Sequence, residues 1–308
     1  MIDHRLHTFL TVCKYMNYTK AAQELFITQP AVSQHIRYLE KYYGVSLFSY
    51  SGKTLTLTPA GRLLLQKASA MKNDEILLKQ SLLTADTGTF SYHFGVTTTI
   101  GEFVIARPLA RFLRDNPKTG IQMTMANTEE LLEGLRRGDY HFALVEGYFP
   151  RDEFAFRVFS TEDFVAVCSA SHVFAGTPSE MPSLQAQPSR MQDLLSEPLL
   201  LRESGSGTRD ILEKALDLNN ISLSSFSRIT EINSMYAIVQ LLLADCGISL
   251  LYKTAVLPYL RTGQLRVIPL EDFHPRHDFA FLWQKGSVYG SEYEKIFCQL
   301  QTGRDATF

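Results

Sequence analysis

The stretch KAAQELFITQPAVSQHIRYLE, from Lys20 to Glu40, contains two helix-like halves joined by FITQ. In the second half, Val32, Ile36 and Leu39 recur at helical spacing and can face a core. The opposite face carries hydrogen-bonding side chains with little charge: Gln29, Ser33, Gln34 and Arg37. Exposed helix faces are usually solubilised by Glu and Lys pairs, so this face favours recognition of a partner over simple solvation.

The segments around this stretch complete a small α/β unit. An apolar stripe predicts a helix upstream, and Thr19 is a candidate cap of the second helix. Thr28 can cap the third helix, and Pro30 lies in its first turn, where a missing N–H costs nothing. Further on, apolar residues on both sides of Ser51-Gly52 predict a hairpin. Three helices and a hairpin describe a winged helix-turn-helix, whose third helix enters the DNA major groove. An ordinary helical hairpin with a solvated face is the alternative.

The run from His7 to Gly61 resembles the DNA-binding domain of LysR-type transcriptional regulators. The matching segments are FLTVCKYMNYTKAAQELFITQPAVSQHIRYLEKYYGVSLF and LTLTPAG, in the family's order and spacing. Together with the hydrogen-bonding face, the resemblance implies a DNA-binding surface made of Thr19, Gln29, Pro30, Ser33, Gln34, Arg37, Tyr50 and Lys53. Gln suits adenine and Arg suits guanine in the major groove. Tyr50 stands where the family commonly has Arg, which removes about one phosphate-neutralising cation.

The charge of the chain is unevenly distributed. Residues 1–58 hold six basic and three acidic residues, whereas the part after residue 88 holds 20 basic and 26 acidic ones. A basic head on an acidic body indicates nucleic-acid binding by the head. The sequence shows no signal peptide, membrane-length apolar run or CxxC pair. We therefore expect a reduced, cytoplasmic protein without a zinc site, a disulfide framework or a cofactor.

Residues 59–88 are predicted to form a long linker helix followed by a hinge, ADTGT. The helix carries an apolar seam with heptad-like spacing: Leu64, Ala68, Met71, Leu78 and Leu82. Such a seam suits either a second copy of the chain or packing on the helix's own domain. The resemblance favours a second copy, in a dimer or tetramer.

Beyond residue 88, strand-like and helix-like runs alternate, which predicts two α/β lobes with largely parallel sheets. We place lobe 1 at 89–161 and 266–308 and lobe 2 at 162–265, with LRVIPL returning the chain to lobe 1. This part is similar to the LysR effector domain, which resembles periplasmic solute-binding proteins. The predicted fold is a multidomain α+β protein: a winged helix-turn-helix DNA-binding domain at 1–58, the linker at 59–88 and a two-lobed α/β effector domain.

In a two-lobed α/β domain, ligands bind at strand C-termini near helix N-termini. The candidate effector-binding residues occupy such places: Thr97, Thr98, Thr99, Glu146, Gly147, Arg202, Ser204, Ser206, Thr208, Asn233 and Ser234. Free N–H groups and hydroxyls suit an anion, although Ser and Thr at helix starts are most often only caps. RESGSGTR also resembles a segment of family members that sense small anionic metabolites, such as the carbon-fixation and sulfur-metabolism activators. We therefore hypothesise a small carboxylate, phosphate or oxyanion as the effector.

Other functional classes have less support. GSGT lacks the form and the lysine of a phosphate-binding loop, and no metal-binding histidine pattern or catalytic arrangement is found, so no enzyme activity is predicted. A solute-binding module without a DNA role and a thiol-based redox sensor using Cys168 or Cys246 remain the alternatives. The simpler interpretation of both cysteines is that they are small buried apolar residues. The resemblance implies double-stranded DNA, a small effector and further copies of the chain as partners, and it admits RNA polymerase.

Overall fold

The computed structural model describes residues 3–52, 54–83, 90–175 and 187–304. The head contains three helices and a hairpin: α1 (His4–Tyr15), α2 (Tyr18–Glu24), α3 (Gln29–Tyr43), β1 (Phe48–Ser51) and β2 (Thr54–Leu57). The apolar residues at helical spacing form one core, with Phe9, Val12 and Val32 fully buried. Ala21 is buried as well, which lets the neighbouring helices approach α2 closely. The predicted winged helix-turn-helix is confirmed.

The helix starts of the head show which polar residues act as caps. Thr28 caps α3 through a 3.3 Å bond from a backbone N–H of the first turn, and Pro30 lies in that turn. The cap of α2 is Asn17, whose Oδ1 accepts two backbone N–H groups at 2.9 and 3.0 Å. The prediction that Thr19 caps α2 is therefore wrong, because Asn17 already satisfies these donors and leaves Thr19 exposed in the first turn.

The linker helix α4 (Pro59–Leu83) divides its predicted seam between two environments. Leu64 and Ala68 pack on the core of the head. Met71, Leu78 and Leu82 are 52%, 50% and 68% exposed, so the C-terminal half of the seam has no partner within the described residues. The hinge ADTGT lies outside the described residues.

Other positions of α4, beside the seam, are attached to lobe 1. The Asp74 carboxylate accepts the hydroxyl of Ser287 at 2.5 Å and the backbone N–H of Val288 at 3.0 Å. The ammonium of Lys72 donates to the carbonyl oxygen of Arg137 at 2.5 Å. Leu77 is buried in the largest apolar core of the body. The helix is thus attached to lobe 1 on one side, while the C-terminal half of its apolar seam stays exposed.

The body begins with β3 (Phe90–Thr97), α5 (Thr98–Phe103), α6 (Ala106–Asp115), β4 (Thr119–Ala126), α7 (Thr128–Arg137) and β5 (Phe142–Val145). It continues through β6 (Phe154–Ser169), β7 (Pro198–Arg202), α8 (Gly207–Leu218), β8 (Arg228–Ile232), α9 (Met235–Leu243), β9 (Ser249–Tyr252), α10 (Lys253–Arg261) and β10 (Leu265–Val267). The chain ends with β11 (Arg276–Gln284) and α11 (Gly290–Arg304). Short 3₁₀ helices lie at Met191–Leu194 and Leu223–Ser225.

One long strand, β6, runs through both lobes. Its first half pairs antiparallel with β11, which contains a bulge between Phe279 and Ala280, and its second half pairs antiparallel with β9 and β10. Parallel pairing is confined to the flanks, where β3 lies beside β4 and β5, and β7 lies beside β8. The expectation of largely parallel sheets is thus wrong around β6, because a strand shared by two lobes recruits antiparallel neighbours in each.

The shared strand also decides where the chain returns to lobe 1. β10 pairs with the half of β6 that belongs to lobe 2, in a register of Val267 opposite Val167. LRVIPL therefore begins in lobe 2, which corrects the expectation that it belongs to lobe 1, and the return is made by β11. The order of strands and helices along the sequence does not show which lobe β10 joins, because it does not show which strands pair.

Candidate functional site

A polar surface lies where the start of α2, the helix α3 and the hairpin meet; we call it the head surface. It is a concavity of about 520 Å³ whose lining includes five of the predicted DNA-contacting residues: Thr19, Gln29, Ser33, Arg37 and Tyr50. Pro30 and Gln34 are exposed on the first turns of α3. Lys53 lies outside the described residues. The fold thus brings the polar face of α3 and the hairpin to one concave surface.

The side chains of the head surface are accessible to solvent. The Tyr50 ring is 69% exposed, and the guanidinium of Arg37 is exposed on α3. The Gln29 amide donates to the hydroxyl of Ser33 at 3.0 Å, which orders both side chains one turn apart. Glu40, the acidic residue of this surface, accepts the backbone N–H of Leu47 at 2.8 Å and so fastens α3 to the hairpin.

A second polar group lies between the two lobes, at Glu146, directly after β5. This carboxyl is 1% exposed. Its Oε1 accepts the hydroxyl of Thr99 from lobe 1 at 3.1 Å and that of Thr208 from lobe 2 at 2.7 Å. Burial raises the pKa of Glu146, and the two hydroxyls and the Arg202 guanidinium offset this in part. One carboxyl group therefore ties the lobes together.

Arg202, at the end of β7, is the buried cation of this region and is 3% exposed. Its Nε and Nη2 donate to the two carboxylate oxygens of Glu203 at 2.7 and 2.8 Å, in a bidentate pair. Its Nη1 has no hydrogen-bond partner among the described residues. A planar guanidinium held at two of its three nitrogens presents the third in a fixed direction.

Hydroxyl groups at the helix starts of this region do not act as caps. Thr97 and Ser206 hold the cap positions of α5 and α8, yet neither side chain makes a capping bond. Their oxygens and that of Thr98 are buried without a partner in the described part of the chain. We call the following group the cleft cluster: Thr97, Thr98, Thr99, Glu146, Arg202, Ser206 and Thr208.

The backbones of the two lobes touch beside the cleft cluster. A Cβ added to Gly207 would lie 2.4 Å from the carbonyl oxygen of Glu146 and 2.8 Å from the Thr128 hydroxyl. Gly147, at φ +85°, lies against Gly207, where a Cβ would approach the Gly207 Cα to 2.5 Å. Only residues without a side chain allow this approach, so a glycine is required at both positions for the lobes to meet here.

The other three predicted effector residues, Ser204, Asn233 and Ser234, are not among the buried groups of the cleft cluster. Ser204 is exposed and lines a separate groove of about 360 Å³ that also contains Asp210 and Tyr148. Ser234 caps α9 by accepting the backbone N–H of Ala237 at 3.2 Å, and Asn233 is exposed before it. For Ser234 the simpler role of a helix cap is thus observed.

The two cysteines considered for redox sensing lie in lobe 2. Cys168 is fully buried in β6, and burial raises the pKa of its thiol to about 11. Cys246 is partly buried, and its thiol donates weakly to the carbonyl oxygen of Ala244 at 3.8 Å. A buried thiol with a raised pKa forms little thiolate and is a poor oxidation target.

Two absences apply to the described ranges. No helix there is long and apolar enough to cross a membrane. No group of three or more His, Cys, Asp or Glu side chains in the same ranges is arranged to hold a metal ion.

Two family models match the chain over nearly its whole length. Residues 4–62 match the bacterial regulatory helix-turn-helix protein of the lysR family, and residues 90–295 match the LysR substrate binding domain. The chain belongs to the LysR family. As in other LysR regulators, a helix-turn-helix head is joined to an effector domain by a linker helix.

Individual LysR proteins are similar to the chain from end to end. The HTH-type transcriptional activator CmpR of Synechocystis sp. is 30% identical over 92% of this chain and 89% of its own length. The HTH-type transcriptional regulator CysL of Bacillus subtilis is 27% identical over 90% and 89%. The structure of full-length LysG from Corynebacterium glutamicum with bound effector Arg has a TM-score of 0.62 at 18% identity and covers 98% of both chains.

The sequence did not single out three further residues at the junction of the lobes. Thr128 donates to the Glu146 carbonyl oxygen at 2.9 Å, and it follows a strand and opens a helix, the same signal that identified Thr97. Glu203 neutralises Arg202 and adjoins it in the chain. Tyr252 is a fully buried phenol beside Glu146, and it carries no sequence signal because it ends an apolar strand.

Proposed function

We propose that this LysR regulator binds operator DNA through the head surface, as a homo-oligomer, and is controlled by a small effector bound at the cleft cluster. The observation that carries the proposal is the set of buried polar groups without partners at the junction of two lobes, in a chain whose head is a winged helix. Buried polar groups normally find partners, so such a set marks a place for a ligand.

The head surface suits the major groove because its polar side chains lie on the first turns of α3. Residues at this end of a recognition helix contact base edges, and each bidentate contact discriminates by about 1–3 kcal/mol. We assign base contacts to Gln29, Ser33 and Gln34, and backbone contacts to Arg37 and Tyr50. Pro30 and Thr19 then shape and flank the contact surface.

The linker helix supplies a surface for a second copy of the chain. Met71, Leu78 and Leu82 are exposed apolar residues at heptad-like spacing, and this half of the seam is free because α4 attaches to lobe 1 through a different face. Pairing of two such seams would bury these side chains and place two heads side by side, as operators with two half-sites require.

The effector acts by preferring one arrangement of the lobes. A ligand that supplies partners to groups from lobe 1 and lobe 2 together stabilises the arrangement in which those groups converge. Arg202 Nη1 and the hydroxyls of Thr98 and Ser206 are hydrogen-bond donors, which supports an anionic group on the effector. The altered lobe arrangement reaches the heads through α4, which is attached to lobe 1 at Asp74 and Lys72.

The test is fluorescence anisotropy of the full-length protein on its own upstream DNA and on shuffled DNA of the same composition, over a salt series. We expect tighter binding to the upstream DNA and a steep loss of affinity with salt. Arg37→Ala removes a proposed phosphate contact, so it should weaken binding to both DNAs and reduce the salt slope by about 0.9, whereas Arg261→Ala, an exposed control at the end of α10, should do neither.

Sedimentation of the same samples should give a multiple of 34.9 kDa. Equal affinity for both DNAs, together with no effect of Arg37→Ala, would count against the head surface. Redox sensing by Cys168 is not favoured, because this residue is buried with a raised thiol pKa.

A further inference from the structure

The cleft cluster presents an unpaired acceptor as well as unpaired donors. Oε1 of Glu146 is occupied by the hydroxyls of Thr99 and Thr208, whereas Oε2 is buried and has no partner among the described residues. The only buried guanidinium of the cluster, Arg202, is already neutralised by Glu203. Acidic groups are therefore not outnumbered here, which is unusual for a site that would hold a bare anion.

We infer that the effector carries an anionic group and a separate hydrogen-bond donor, a hydroxyl or an ammonium, on one small skeleton, as in a hydroxy acid or an amino acid. This inference rests on the proposed function and narrows its ligand class. The anionic group binds Nη1 of Arg202 and the hydroxyls of Thr98 and Ser206. The donor binds Oε2 of Glu146.

An anion with acceptor atoms only does not satisfy this arrangement. Sulfate or a simple carboxylate would place its lone pairs against those of Oε2 and leave a buried acceptor unpaired. Leaving one buried polar group unpaired corresponds to about a tenfold or greater loss of affinity. A hydroxyl or ammonium in the same place donates to Oε2 and avoids this loss.

The skeleton is small because the lobes touch beside the cluster. Gly207 and Glu146 are in backbone contact, and the backbone N–H of Glu129 donates to the carbonyl oxygen of Gly205 at 3.3 Å across the same junction. We therefore expect the two binding groups of the ligand to be separated by only a few bonds, as in an α-hydroxy or α-amino acid.

A protonated Glu146 would give the opposite order of ligand affinities. Burial raises the pKa of this carboxyl, and a proton on Oε2 would make it a donor to the ligand. An acceptor-only anion would then bind well, and its affinity would fall as the pH rises through the pKa of Glu146. The groups that face this carboxyl are Arg202, Glu203 and Tyr252, together with the Thr99 and Thr208 hydroxyls.

The test is calorimetric titration of the full-length protein with four probes: propionate, lactate, alanine and sulfate. The three carboxylates share a skeleton and differ only in the substituent next to the carboxylate. We expect lactate or alanine to bind at least about tenfold more tightly than propionate and sulfate. Glu146→Gln should reverse this order, because its amide N–H₂ would occupy the place of Oε2 and donate to acceptor-only anions.

Two controls locate the binding. Glu213→Gln, on α8 outside the cluster, should leave the order of the probes unchanged. Thr98→Val should weaken every probe that binds in the cleft.

Each contrary outcome has a separate meaning. If propionate or sulfate binds the native protein as tightly as lactate and alanine, and Thr98→Val weakens it, the inference is overturned and the cleft remains the effector site. If binding is insensitive to Thr98→Val, the proposed effector site fails, and the inference fails with it. If no probe binds, the inference is overturned for small hydroxy and amino acids, while DNA binding by the same preparation still decides the regulator assignment.

Discussion

The head surface and the cleft cluster use similar side chains in opposite surroundings. Both contain hydroxyl, guanidinium and carboxyl groups. On the head surface these groups are exposed or partly exposed, and Gln29 donates a hydrogen bond to Ser33. In the cleft cluster they are buried, and several lack a partner in the described structure.

This difference predicts whether a substitution in each region changes binding alone or also changes the free energy of unfolding. An exposed polar side chain exchanges water for a DNA base, so it contributes to binding with little effect on folding. A buried group without a partner costs about 1–3 kcal/mol in the free protein, and a ligand that satisfies it recovers this cost. Substitutions in the head should therefore alter DNA binding alone, whereas substitutions in the cleft should alter folding stability as well.

The largest expected effect concerns the space in the cleft. Gly207→Ala places a methyl group 2.4 Å from a backbone oxygen that cannot move freely, so we expect the free energy of unfolding to fall by about 3 kcal/mol. Denaturant unfolding monitored by the fluorescence of Trp283, the single tryptophan, which lies in β11, measures this.

The matched control adds one methyl group to the head surface. Ser33→Thr should leave the unfolding free energy within about 0.5 kcal/mol of the native value. A tolerated Gly207→Ala would show that the two lobes do not touch at this point.

A smaller effect separates satisfied from unsatisfied hydroxyls. Thr97 and Thr128 are both buried, but only Thr128 donates to a protein acceptor, the carbonyl oxygen of Glu146. Thr128→Val should reduce the unfolding free energy by about 1–2 kcal/mol, because it leaves that carbonyl without its donor. Thr97→Val should leave it unchanged or raise it by about 1 kcal/mol. Equal losses in the same tryptophan assay would mean that the Thr97 hydroxyl has a partner after all.

The smallest effect concerns the hairpin of the head. Tyr50→Arg should add one phosphate contact and steepen the dependence of log affinity on log salt by about 0.9. The unfolding free energy should not change, because Tyr50 is exposed. Tyr236→Arg, on an exposed position of α9, is the control and should leave the salt dependence as it is. An unchanged slope for Tyr50→Arg would place the hairpin away from the DNA backbone.

Much of the architecture could be predicted from the sequence because its signals are local. Helical spacing of Val32, Ile36 and Leu39, the cap at Thr28 and Pro30 in the first turn each depend on residues a few positions apart. The strands and helices of the body were located in the same way. Local signals could not reveal that β6 is shared by both lobes or that β10 belongs to lobe 2, since pairing joins residues far apart in sequence.

The cleft residues could be predicted only in part, because here too the sequence offers only local signals. Hydroxyls at helix starts singled out Thr97, Thr98 and Ser206, but the sequence could not separate these uncapped hydroxyls from that of Ser234, which caps α9. That distinction depends on whether a backbone donor is within reach of each side chain. Tyr252 lies beside Glu146 through strand pairing across lobe 2, and no local pattern records such a contact.

The continuity of β6 limits how the effector domain can move. Two lobes joined only by loops can separate freely, but here each lobe contains part of one strand, β6, which pairs with β11 from Phe154 to Asp163 and with β9 and β10 from Phe164 to Ser169. Because the pairing passes from β11 to β9 between Asp163 and Phe164, β6 can twist at this point without loss of the inter-strand hydrogen bonds of either lobe. We therefore expect the effector to act on the heads through a rotation of one lobe relative to the other about β6, rather than through a simple closure of the cleft.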